Sequence, residues 1–274
     1  MKIYHYTTIE TLALILKHKS IRFNRLDKMD DHFEKTFLMN QYNWSPYTYV
    51  SCWSENSQEN IPLWHTYCPG GAGVRIALDK DFIDWDKQSV AISVPSQPSH
   101  HKLPSKDSSG AVSVTFNPIR IYRPLSDEDC YNHVTYADED EYREYENIIG
   151  MADSNNEIEE SMMRKYVGLF RKDKWAFQDE SRFVIYAVPY TLTDAVVTHK
   201  DFVNLIKLSV PNNVPFIDVP IKHDKLKHID VLLGPNVNEA QTILVKALLQ
   251  KYAPESSLSV SSLSDSPIWL IHKP

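Results

Sequence analysis

The sequence predicts an α+β fold. Three observations carry that expectation: many short β-type runs, helical patterns gathered into clusters, and no regular strand–helix alternation of the kind that builds a parallel sheet. At 274 residues the chain can bury a large core, and it reads as one domain over residues 1–274 with a variable loop and helical insertion at about 80–172.

The opening run Lys2-Ile3-Tyr4-His5-Tyr6 has β character, and Thr7-Thr8-Ile9-Glu10 fits a capping box with Thr7 as N-cap. Ile9, Leu12, Ala13 and Leu16 recur at helical spacing, which predicts a helix of about ten residues. Residues 20–24 then read as extended, and the charged stretch 27–34 as a turn or short helix. Residues 47–53 are rich in aromatic and β-branched types and predict a strand. Ile61–Tyr67 places Trp64 and Tyr67 one helical turn apart, Cys68-Pro69-Gly70-Gly71 breaks that element, and residues 73–78 form the next strand.

Residues 95–110 are polar and rich in Pro and Ser, as an exposed, mobile loop would be, and β character resumes over 112–122. The acidic run 138–146 reads as a solvated helix face. Ser154-Asn155-Asn156-Glu157 offers a second capping box, continued by Ile158, Met162, Tyr166 and Leu169 on an amphipathic face, so 124–172 is expected to be a helical insertion. Strands are expected over 182–188, 205–210, 229–233 and 268–271, and Asn238 is placed to cap a last long helix running to about Tyr252.

A net charge of −7 supplies no global basic field toward nucleic acid or anionic lipid, while leaving room for a local basic groove. No run approaches the roughly 18–20 apolar residues that span a bilayer, and the first residues lack the basic and apolar regions of a signal peptide. Cys52, Cys68 and Cys130 are widely spaced with no CxxC pair, which suits reduced thiols. The expected location is therefore the cytoplasm, with no membrane partner.

Several familiar chemistries fit poorly. Gly70-Gly71-Ala72-Gly73 follows a helix and precedes a strand, the reverse of a phosphate-binding loop, and reads as a tight turn. His65 and Cys68, with Cys52 and the adjacent His100 and His101, offer only one loose ligand pair, so no metal is assigned. The strand-to-helix nucleophile elbow of serine hydrolases is absent. The constellation that stands out joins His5-Tyr6-Thr7, ending the first strand, to Gln178-Asp179-Glu180, opening a later one between the aromatics Trp175 and Phe177 and the basic Arg182. Strand alternation places Gln178, Glu180 and Arg182 on one face. Plainer roles compete: a helix cap for Thr7, core packing for Trp64, and a surface ion pair for Arg182.

The same residues carry a family resemblance. YHYTTIETLALILKHKSIRFN, LDKMDDHFE, VSCWSENSQENIPLWHTYCPGGAGVRIAL, KWAFQDESRFVI and IDVLLGPN, in that order, resemble the bacterial family called domain of unknown function number twenty-nine seventy-one. The likeness covers most of residues 3–78 and 172–236 and leaves 80–170 largely unmatched. That family is similar to the ADP-ribosyltransferases, which implies split mixed and antiparallel sheets forming a cleft with flanking helices. It implies NAD⁺ as substrate and a macromolecular acceptor, protein or nucleic acid, with NAD⁺ glycohydrolase activity or a non-catalytic binding module of the same fold as alternatives.

Residue by residue, His5 takes the place of the first-strand His, and Ser51-Cys52-Trp53-Ser54 takes the second position. Gln178-Asp179-Glu180 reads as QxE where the family more often shows ExExR, a departure at Gln178 that bears on target choice. The resemblance implies that Glu180, Gln178 and His5 are catalytic. It implies that Tyr6, Thr7, Ser51, Trp53, Trp64, Tyr67 and Arg182 join His5 in holding NAD⁺. Transferases of this kind serve as toxins or phage-defence effectors, which also implies an antitoxin or immunity partner.

Overall fold

The computed structural model describes residues 1–35, 38–39, 42–85, 119–122, 130–138, 140–141, 144, 167–189, 204, 206–209 and 211–264. It is an α+β molecule built on a mixed sheet. Strand β1 (Lys2–Thr7) pairs antiparallel with β6 (Val74–Asp79) along its whole length, from Lys2 opposite Asp79 to Thr7 opposite Val74. Helix α1 (Ile9–His18) follows, capped by Thr8, one residue later than the sequence spacing suggests. The reason is the ladder: Thr7 is still paired, so Thr8 is the first residue free to turn, and its Oγ1 accepts from the Thr11 N–H at 3.2 Å. Thr8→Ala is expected to cost about 1 kcal/mol. A fall in the urea midpoint at unchanged slope would report it, and an unchanged midpoint would show the cap to be redundant.

β2 (Ser20–Arg25), the short helix α2 (His32–Lys35), the pair β3 (Leu38–Met39) and β4 (Tyr42–Asn43), β5 (Thr48–Ser54) and α3 (Ile61–Tyr67) come next. Beyond β6 lie β7 (Ile119–Tyr122), β8 (Tyr131–His133), β9 (Thr135–Ala137), β10 (Phe170–Lys172) and β11 (Glu180–Pro189). The chain continues with β12 (Phe216–Pro220), α4 (His223–Lys227), β13 (Asp230–Leu233), α5 (Glu239–Tyr252) and β14 (Ser257–Val260). Asn238 caps α5 in a full capping box with Gln241.

Two expectations need correction. The described parts of 124–172 are chiefly strands, β8 to β10, with helical residues at 130, 140, 141 and 144. Residues 206–209 form a helical turn, not a strand: the Leu208 N–H donates to the Asn204 carbonyl at 3.0 Å. A strand would put Ile206 and Leu208 on one face, yet Ile206 is buried and Leu208 exposed. The loop at 95–110, the second capping box at 154–157 and the run 268–271 lie outside the described residues.

The sheet runs β12-β2-β5-β1-β6-β13-β14, with β11 also on β5 and both β7 and β8 on β11. Neighbours are antiparallel except β13 and β14. Leu12, Ile15 and Leu16 of α1 and Val245 and Leu249 of α5 are buried in one core with Ile3, Ile76, Phe183, Ile217 and Val231 of the strands. Each such side chain contributes roughly 1.5–3 kcal/mol by leaving water.

The feature that positions the site is a fork at β5. One edge of β5 is paired with β11 along its full length, Thr48–Ser54. The other edge is shared: β2 lies opposite Tyr49 and Val50, and β1 meets β5 only where Tyr4 faces Ser54. Between them, residues 51–53 have no strand opposite on that side among the described residues. No helix among the described residues is long and apolar enough to cross a membrane.

Candidate active site at the strand fork

A pocket opens where β1 and β5 part. Tyr4, His5 and Tyr6 of β1, Cys52, Trp53 and Ser54 of β5, Leu63 and Tyr67 of α3, and Gln178 and Glu180 line it. His5, Tyr6, Trp53, Tyr67, Gln178 and Glu180, all named from the sequence, are thus brought together. A larger recess of about 290 Å³ lies elsewhere, between the start of β1 and α4. Its charges already neutralise one another, Lys2 with Asp230 and Lys225 with Asp79, so the smaller aromatic pocket is the better site.

His5 fills the gap left by the fork. Its Nδ1 lies 2.8 Å from the Cys52 carbonyl, which can only accept, so Nδ1 carries the proton. Burial holds the imidazole below its ordinary pKa, with the Cys52 bond opposing. At neutral pH the ring is therefore uncharged and Nε2 is an acceptor. The ring also packs on Trp53, centroids 5.2 Å apart.

Glu180 opens β11 immediately after Asp179, which turns the chain in the left-handed region at φ 44°. The strand starts here, so Gln178 belongs to the preceding turn and not to the strand alternation expected for it. It reaches the pocket all the same, its Nε2 donating to the Tyr67 hydroxyl at 3.0 Å.

Glu180 is buried, at 4% exposure, and is gripped by two arginines. Arg182 donates through Nε to Oε1 at 2.7 Å and through Nη2 to Oε2 at 3.1 Å; Arg171 donates through Nη1 to Oε2 at 2.8 Å. Burial alone would raise this carboxyl's pKa, but the Arg182 and Arg171 charges and hydrogen bonds outweigh it and hold the group below the ordinary carboxylate range. Glu180 is therefore a carboxylate at neutral pH. Three of its four lone-pair positions are taken, and the Cys52 thiol is a further neighbour of the carboxylate.

Two residues of this cluster were invisible in the sequence. Glu34 of α2, 2% exposed, pairs with Arg182, and its Oε2 lies 3.6 Å from Arg171 Nε. Arg171 of β10 stacks on Trp175, its guanidinium carbon 4.4 Å from the ring centroid, and also donates to the Gln178 side chain. Glu34 behaves oppositely to Glu180 although both face the same arginines: burial raises its pKa and the arginines do not compensate. Geometry explains the difference, since Glu34 Oε2 has no hydrogen-bond donor where each Glu180 oxygen has at least one.

The other expected ligands stand behind the pocket. Thr7 pairs with Val74 in the ladder, and Ser51 accepts from the Trp53 indole at 3.0 Å. Trp64 is fully buried, edge-on to Tyr6 and donating to Glu59 at 3.0 Å. Arg182 is fully buried and does not line the pocket, but it bonds Glu180 and lies opposite Cys52, which do. Nearby, Ser181 Oγ lies 2.8 Å from His133 Nδ1, and His133 Nε2 lies 3.3 Å from Glu55. The sequence of types suits a hydrolase, but Ser181 has no exposed surface for a substrate to reach.

The Cys52 thiol bears directly on the pocket. Burial, then the Glu180 charge, pushes its pKa well up, so it is a protonated thiol at neutral pH and not a nucleophile. Iodoacetamide is expected to leave Cys52 unlabelled near neutral pH in the folded protein and to label it in urea. Rapid labelling without denaturant, read by mass spectrometry, would contradict this. Against known proteins, the chain matches no family model, no curated protein and no solved structure.

Proposed function

We propose that the fork pocket receives the nicotinamide–ribose end of NAD⁺ and that the chain is an NAD⁺-dependent ADP-ribosyltransferase. The observation that carries this reading is that Glu180 and His5, from distant parts of the chain, line one aromatic-walled pocket in complementary states, a carboxylate and a neutral imidazole. The five ordered blocks of family resemblance support it as well.

The residues suit the chemistry. Tyr4, Tyr6, Trp53 and Tyr67 offer faces or edges to a cationic aromatic ring, each face contact contributing roughly 0.5–2 kcal/mol. When the glycosidic bond at ribose C1′ breaks, its electron pair leaves with nicotinamide and positive charge develops on the sugar. A fixed carboxylate at Glu180 stabilises that charge more than it stabilises the ground state, which accelerates the step. His5 Nε2 accepts from a ribose hydroxyl. The acceptor's oxygen or nitrogen then bonds to C1′ and releases its proton to solvent. Gln178, whose amide accepts from Arg171 and donates to Tyr67, is the residue assigned to the acceptor in this reading.

One observation favours the non-catalytic alternative. The enclosed space is about 50 Å³, well below the 300–1,000 Å³ of ordinary ligand sites, so binding requires the pocket walls to open. The deciding experiment incubates the purified full chain with adenylate-labelled NAD⁺ and cell lysate. Nicotinamide release with label retained on protein or nucleic acid is expected. Release without macromolecular label would make the chain a glycohydrolase. Neither release nor a thermal shift with millimolar NAD⁺ would overturn the reading in favour of a binding module.

A further inference from the structure

The two arginines and two glutamates behind the pocket form a closed ring of alternating charge. Glu180 Oε1 accepts from Arg182, and Oε2 accepts from Arg182 and Arg171. On the far side Glu34 mirrors it: Oε1 accepts from Arg182 Nη1, and Oε2 faces Arg171 Nε at 3.6 Å. Arg182 is thus held between two carboxylates, with Nη1 also bonded to the Gly168 carbonyl at 2.8 Å. Each ring member is at most 4% exposed, and of the four only Glu180 lines the pocket.

The contacts set an order of dependence. A guanidinium directs its donors at a target only as well as its remaining donors are anchored. For Arg182 the anchors are Glu34 and Gly168; for Arg171 they are Gln178 and the Trp175 ring, while Glu34 Oε2 at 3.6 Å and Asp31 Oδ2 at 3.9 Å from its Nε act on it through charge and not through a hydrogen bond. Glu34 is the residue shared by both. Its charge also divides the arginines' attraction, because without it Arg182 keeps Glu180 as its carboxylate and Arg171 is shared between Glu180 and Asp31.

We propose that Glu34 is a positioning residue that acts on Glu180 through Arg182 and Arg171, fixing where that carboxylate stands in the pocket and how much of its charge is left for a ligand. The part of this that concerns turnover rests on the NAD⁺ reading above; the part that concerns Glu180 itself does not.

The test uses full-length protein labelled with ¹³C at glutamate side-chain carboxyls. The Glu180 resonance is the one missing from Glu180→Gln, and its position is compared in the wild type, Glu34→Gln and Glu34→Asp. The expected result is a displaced Glu180 signal in Glu34→Gln, as the arginines close on it, and a position nearer the wild type in Glu34→Asp, which keeps the charge. A Glu180 resonance unmoved by Glu34→Gln would overturn the proposal, whatever the turnover. Should Glu34→Gln fail to fold, as circular dichroism would show, Glu34→Met takes its place as the charge-removing variant: a displaced Glu180 signal supports the proposal and an unmoved one overturns it.

In parallel, nicotinamide release should fall roughly ten- to hundredfold in Glu34→Gln with KM within about twofold. It should recover in part in Glu34→Asp. Wild-type protein that releases no nicotinamide would remove the NAD⁺ reading and leave the carboxyl measurement to judge Glu34.

Discussion

Glu180→Gln is expected to lower nicotinamide release by at least about a hundredfold, the scale on which a single preorganised electrostatic contact acts in a transition state. The substitution keeps the shape of the side chain and removes the charge that would face the sugar. NAD⁺ affinity should change far less than turnover, because the charge matters most once positive character has developed at C1′. The variant will also be less stable, since a neutral amide replaces the carboxylate that neutralises Arg182 and Arg171. Turnover is therefore compared well below the variant's melting temperature, at equal folded fraction. Undiminished release would remove Glu180 from the mechanism.

The largest effect on stability is expected from Arg182→Met. Met matches the length of the aliphatic stem but leaves Glu180 and Glu34 as two buried carboxylates around a missing cation. Breaking a buried charge cluster from one side costs about 3–5 kcal/mol, a large part of the 5–15 kcal/mol that holds a typical domain folded. The pH dependence gives a second check. Because the Glu180 pKa is depressed in the folded state, its pairing stabilises fully above the unfolded carboxylate pKa and is lost as pH falls through the folded value. In Arg182→Met the larger part of that contribution is lost and only the Arg171 pairing remains, so melting temperature should fall less steeply on acidification than in the wild type. A variant as stable as the wild type at neutral pH, with the same acid slope, would show the ion pairs to be unimportant.

Much of the framework was legible because its signals are local. Aromatic and β-branched density marked β5, helical spacing marked α1 and α3, and Asn238 marked the start of α5. β12 and β14 were not seen: FIDVP is bounded by prolines and SLSV is mostly polar, and both are outer strands that need no continuous apolar run. The helical turn at 206–209 carries strand-like residues, and only its burial pattern shows which periodicity won.

The site was half legible. His5, Trp53 and Glu180 announced themselves by type and setting. Glu34 did not, because a Glu in the charged stretch LDKMDDHFE reads as solvated surface until its partners arrive from β10 and β11. Arg171 was lost inside an expected helix that proved to be strand β10. Long-range ion pairing has no periodicity to read.

The fork also dictates when the site comes into being. β5 is made early by the chain, yet its full-length partner β11 begins only at Glu180, and the ring needs Glu34, Arg171 and Arg182 at once. A nascent chain that stops short of β11 holds β5 with one edge bare and Glu34 without Arg182. Pairings of such sequence separation form slowly because loop closure precedes any compensating contact. The pocket is therefore a late product of folding, and its Glu180 carboxylate is presented only after most of the chain has been synthesised.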